Sequence, residues 1–79
     1  MRKIRIKRKR NPGCWGMAYP EKWLIELDPE LDEKTLMDIA IHEATHVVLP
    51  ILDETAVDTL GKQVADVLWR LGFRIDDGV

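Results

Sequence analysis

His42, Glu43, Ala44, Thr45 and His46 form an H-E-x-x-H pattern inside an apolar run that reads as helix. Two histidines four residues apart stand one above the other on a helical face, about one turn apart. Both imidazoles can then reach one metal ion, and the glutamate beside them can take a proton from a metal-activated water. The chain has 2 histidines, and the pattern uses both. The plainer alternative is a satisfied core histidine beside a solvated acid. The helix argues against it, because burying two imidazoles and a carboxylate is costly without partners. A metal ion supplies that partner.

A zinc site for hydrolysis needs three protein ligands and one open position. His42 and His46 supply two. With no other histidine and a single cysteine, Cys14, the third ligand is expected from a carboxylate. Glu43 is offset from both histidines around the helix. It can therefore face the water without binding the ion, acting as general base and then as proton donor to the leaving group. An oxyanion also needs a donor. Tyr19, the only tyrosine, lies near the expected strands and is a candidate; a rim aromatic with a wet hydroxyl is the plainer reading. Arg70 and Arg74 are weaker candidates. A free strand edge could pair with an extended peptide.

Elements to position these residues are legible on both sides. Ile4 and Ile6 alternate with charges and predict a half-buried strand over about 3–9. Asn11-Pro12-Gly13 is a turn signal. Residues 14–19 predict a second strand weakened by Gly16, and alternation of Trp23, Ile25 and Leu27 predicts a third over 22–28. Asp32 is the expected cap of the active-site helix, about 33–49, with Leu31 and Leu36 as a hydrophobic staple and Pro50 as its stop. This helix is apolar on most sides and is expected to be sandwiched between the sheet and the next helix. Asp53 caps a second helix, about 54–71, with an apolar stripe of Val57, Leu60, Val64, Val67, Leu68 and Leu71. Gly61 inside it costs about 1 kcal/mol relative to alanine, which a close approach of the first helix would explain. Gly72 and Phe73 fit a helix-ending motif. Fraying is expected over 76–79. The predicted architecture is α+β: a small three-stranded antiparallel sheet followed by two antiparallel helices. Trp15, Trp23 and Trp69 are expected in core or rim packing.

A chain of 79 residues makes one small domain of marginal stability, which a metal or a partner would assist. Residues 1–10 form a basic arm: Arg2, Lys3, Arg5, Lys7, Arg8, Lys9 and Arg10, with no acid. The domain proper, 11–79, carries all 14 acids, so the net charge of −2 hides a positive arm on an acidic body. The arm suits nucleic acid, through residues 2–10, or an acidic protein partner. The favoured reading is an edge strand kept soluble by its cations. No aromatics or glycines are interleaved with those cations as in an RNA-binding face. No apolar run is long enough to span a membrane and no signal-type segment follows the arm. Cys14 cannot make an internal disulfide, so a reducing, cytoplasmic setting is expected, with Cys14 a small buried apolar residue in preference to a ligand.

H-E-x-x-H on a buried helix after a small sheet resembles the core of zincin metallopeptidases. In the gluzincin branch the third ligand is a glutamate on the following helix, and an acid four residues beyond it often holds the first histidine. Glu54 and Asp58 match that spacing. The resemblance extends to very small gluzincin-like proteins and short phage or prophage proteins, and covers roughly residues 22–73. It implies a metallopeptidase with one zinc ion per chain, held by His42, His46 and Glu54. Asp58 would accept the other ring N–H of His42, and Glu43 would be the base. A peptide or protein would be the substrate, with a protein partner completing so small a cleft. The chain departs from the longer families in the short spacing from His46 to Glu54. It also lacks the metzincin continuation: Leu49 stands where that pattern wants glycine. Glu54 and Asp58 compete as third ligand: on a helical wheel Glu54 lies nearer the apolar stripe than Asp58, by about 40°, and shares its face with Gly61, whereas an antiparallel layout puts Asp58 nearer the level of His42. The alternative is a non-catalytic module that keeps zinc for stability in a closed site, with Asp58 or Cys14 as fourth ligand, and binds nucleic acid or protein through the arm; a further alternative is a metal-free accessory domain in which the motif is coincidence.

Overall fold

The computed structural model describes residues 1–76. The chain runs β1 (Arg5–Arg8), β2 (Gly16–Tyr19), a single 3-10 turn (Pro20–Lys22), β3 (Leu24–Leu27), α1 (Glu33–Val48) and α2 (Glu54–Arg70). It is α+β, with α1 on one face of the sheet and α2 against α1. The fraying expected over 76–79 falls at 77–79 outside the described residues.

The sheet differs from the antiparallel one that the sequence predicts. Its strand order is β1-β3-β2. β2 pairs antiparallel with β3, but β1 pairs parallel with it, Ile6 opposite Ile25. The turn signal is real. Cys14 N donates to Asn11 O at 2.9 Å around Pro12-Gly13, with Gly13 at φ 81°. It does not make a β1–β2 hairpin, because β3 takes the place between them. Ile25 and Leu27 are the most buried strand residues, at 2% and 3% exposure, and the centre of a sheet is where such a strand is best covered. β1 is exposed throughout and stays at the edge, where its cations guard the unpaired backbone. Ile4 packs on the core, but Ile6 is 66% exposed, so β1 is less buried than its alternation predicts.

Both helices begin as their capping residues dictate. Asp32 Oδ1 accepts from Thr35 N at 2.9 Å, and Asp53 Oδ1 from Ala56 N at 2.8 Å. α2 ends with Gly72 N donating to Trp69 O and Phe73 N to Leu68 O, both at 3.0 Å. Gly72 has φ 94°, completing the left-handed cap. Ile25, Leu27, Leu36 and Val47 form the core between sheet and α1.

The face α2 turns to α1 is rotated from the predicted stripe. Val57, Gly61 and Ala65 are buried, while Val64, Val67 and Leu71 are at least 40% exposed. Small residues at 61 and 65 let the backbones approach, and the contact follows them in place of the bulkier valines. A Cβ on Gly61 would stand 2.8 Å from Asp38 Oδ1 and 3.1 Å from the Asp38 carbonyl, so the close approach expected there is present. α1 is sandwiched as expected on two sides only; Val48 and Leu49 remain about half exposed. Cys14 is exposed, against the expectation of burial, and Trp15 is exposed beside it, because they sit in and just after the turn that carries the chain past β3.

Candidate metal centre

α1 and α2 run antiparallel, so the start of α2 lies beside the later turns of α1. At 100° per residue Glu54 stands roughly 20° from Gly61 around the α2 axis. The face that approaches α1 most closely therefore carries Glu54 at its first position. Its carboxylate bridges both imidazoles. Glu54 Oε1 lies 2.8 Å from His42 Nε2, and Oε2 lies 3.0 Å from His46 Nε2. The two rings are edge to face, with centroids 4.9 Å apart. One ligand atom from each of the three residues lies within 4.8 Å of the others.

This donor set fits zinc. Two ligands on a tetrahedral zinc ion with bonds near 2.1 Å stand roughly 3.4 Å apart. The contacts between Glu54 and the imidazoles need open by about half an ångström to reach that separation. The imidazoles are largely buried, at 13% and 23% side-chain exposure, whereas the Glu54 side chain is 71% exposed. The group is thus fixed from the core side and approachable from solvent.

Glu43 lies behind the histidines, toward the sheet. Gly16 at the start of β2 makes room for it. A Cβ there would be 2.7 Å from Ile39 Cγ2 and 2.9 Å from Glu43 Cγ. The sequence offered Gly16 as a flaw in a strand; packing against Glu43 is its physical reason. Partial burial raises the Glu43 pKa above the ordinary carboxylate value, and the charge on Glu54 adds to the rise, while His42 and His46 oppose it. A carboxylate so placed is a better proton acceptor than a solvated one.

The geometry places the remaining candidate residues outside the three-residue cluster. Tyr19 is not at the site. Ala18 faces α1, so alternation turns Tyr19 to the opposite face of the sheet. There its hydroxyl donates to Glu26 Oε1 at 3.1 Å. Asp58 does not accept from His42; it takes an ion pair with Lys62 one turn on, which holds its carboxyl below the ordinary value. His42 lowers it further through charge alone, so Asp58 is near the histidine without a hydrogen bond to it. Arg70 pairs with Asp66, and Arg74 stacks on Trp69 at 3.4 Å, both at the far end of α2. Neither Cys14 nor Asp58 joins the three-residue cluster among the described residues.

The sequence missed Glu26. It is 4% exposed, and it accepts from Asn11 Nδ2 at 3.0 Å and from Tyr19, with Lys9 Nζ at 3.9 Å. An acid alternating with Ile25 and Leu27 reads as solvent-facing; only the turn at 11–14 folding over it reveals its burial. The chain matches no protein-family model, no curated protein and no solved structure. The functional reading therefore rests on the geometry of the site itself.

Proposed function

We propose that the chain is a zinc-dependent peptidase of minimal gluzincin type, with His42, His46 and Glu54 as ligands and Glu43 as general base. The observation that carries this reading is the convergence of both Nε2 atoms on one carboxylate of the next helix, with a second, partly buried carboxylate beside them. Zinc, when bound, supplies Lewis acidity toward the scissile carbonyl and lowers the pKa of water. Glu43 takes a proton from the attacking water, whose oxygen bonds to the carbonyl carbon. As the C–N bond breaks, Glu43 returns that proton to the leaving nitrogen, giving a carboxylic acid and an amine.

The edge of β2 supports a peptide substrate. β2 is a sheet edge, and Gly16 brings it against Glu43. An extended peptide added to that edge would run past the base with its backbone hydrogen-bonded. A closed structural zinc site would require a fourth protein ligand, and the exposure of Glu54 favours an open one. The test is Glu43→Gln, assayed with zinc-loaded protein on a library of unstructured peptides. The amide keeps the shape of the side chain but cannot accept the proton. The expected result is cleavage by the wild type, and retained zinc without cleavage in the variant. Equal cleavage by both would remove Glu43 from the mechanism.

A further inference from the structure

The helices cover one face of the sheet; the other carries a pattern that the linear sequence scatters. Along β1 and its continuation, Arg5, Lys7 and Lys9 alternate onto this face, whose centre is covered where Asn11 reaches over to Glu26. The ladder extends past both edge strands, with Lys9 N donating to Leu27 O and Asp28 N to Trp15 O, each at 2.9 Å. The register therefore aligns three tiers across the sheet. Arg5, Leu24 and Tyr19 form one, Lys7, Glu26 and Met17 the next, and Lys9, Asp28 and Trp15 the third. A row of cations lies on one edge, and a row of Trp15, Met17 and Tyr19 on the other. Neighbouring strands are roughly 5 Å apart, so the two rows are separated by about 10 Å.

The acids between the rows are engaged. Glu26 is buried beneath Asn11, Tyr19 and Lys9, and Asp28 Oδ1 accepts from Glu30 N at 2.8 Å. Trp15 is 61% exposed, so its indole is accessible to a partner. Lys22 lies 5.5 Å above the Tyr19 ring, so a further cation flanks the face.

We propose that the sheet face away from the helices binds single-stranded nucleic acid along its rim. Cations along β1 would track the phosphates while a base stacks on the exposed Trp15. Stacking needs unpaired bases, which a duplex does not present, and the cation row alone does not distinguish sequences. The inference is independent of the metal centre, which lies on the helix side of the sheet.

The test is fluorescence anisotropy of a labelled 15-nucleotide single strand against the full chain, repeated across a salt series and with the same sequence as duplex. Binding should weaken linearly in log–log form with salt, at about 0.7 per phosphate neutralised. Lys7→Ala should reduce that slope by about 0.7. Trp15→Ala should weaken binding roughly five- to a hundredfold with the slope unchanged. Trp15 is exposed, so this variant should fold; its circular dichroism and melting curve establish that. Arg70→Ala, at the far end of α2, should change neither. Three results would overturn the proposal: no salt-dependent affinity for the single strand, equal affinity for duplex with no effect of Trp15→Ala, or binding to anionic vesicles without binding to the oligonucleotide.

Discussion

Gly61→Ala sets two effects against each other with opposite signs. Helix propensity favours the alanine by about 1 kcal/mol. Packing opposes it, because the new Cβ would stand 3.1 Å from the Asp38 carbonyl oxygen and 3.4 Å from His42 Cβ. Asp38 Oδ1, at 2.8 Å, can rotate away, but the carbonyl belongs to the α1 backbone and cannot. Relief requires α2 to move off α1 by a few tenths of an ångström at the level of His42. Overpacking of this kind costs about 1–3 kcal/mol. The net expectation is destabilisation of about 0–2 kcal/mol. At the centre of that range the melting temperature falls by roughly 4–8 °C. The assay is thermal and urea unfolding of wild type and variant in chelator, so that metal does not contribute, followed by zinc titration of each. Moving α2 also draws Glu54 from the imidazoles, so zinc affinity should fall with stability. If Gly61→Ala is more stable than wild type by about the full propensity gain, with unchanged zinc affinity, the helices have slack at this point and the close-approach account is refuted.

Glu26 gives a pH prediction. Hydrogen bonds from Asn11 and then Tyr19, with the charge of Lys9, hold it below its ordinary value of 4.5 despite opposition from burial. Its contribution to stability is therefore present above the unfolded pKa and is lost as pH falls through the lower folded one. Urea midpoints should drop on acidification over that window, and Glu26→Gln should flatten this part of the profile. Asp58→Ala should change zinc affinity by less than tenfold, since its partner is Lys62 and not His42; a larger loss in competitive zinc titration would restore a direct role. Gly16→Ala, whose Cβ would meet Ile39 and Glu43, should lower the melting temperature and reduce peptide cleavage more than zinc binding. Equal losses in zinc affinity and cleavage would contradict the placement of Glu43.

Local grammar made much of this legible. Asp32 and Asp53 announce both helices because an N-cap acts within one turn. Four-residue spacing put His42 and His46 on one face, and Gly61 marked the helix contact. What failed depends on distant pairing. Insertion of β3 between β1 and β2 is decided by which strand buries Ile25 and Leu27, not by the turn at 11–14. The burial of Glu26, and with it the capture of Tyr19, follows from that insertion. The α2 stripe misled because hydrophobicity ranked Val64 and Leu71 above Gly61 and Ala65, whereas backbone approach favours the small residues. Glu54 was legible by its place on the Gly61 face; the Asp58–Lys62 pair is an equally local i,i+4 signal, and it engages Asp58 in place of the longer-range role.

The most direct measurement of the central claim is zinc titration of metal-free protein against a chromophoric competitor, for wild type and for Glu54→Ala. The account predicts saturation at one equivalent per chain in the wild type, with a rise in melting temperature on binding. It predicts loss of most of that affinity in the variant, which retains the two histidines but not the carboxylate between them. Absence of zinc binding and of zinc-dependent stabilisation in the wild type, or full affinity in Glu54→Ala, would contradict it.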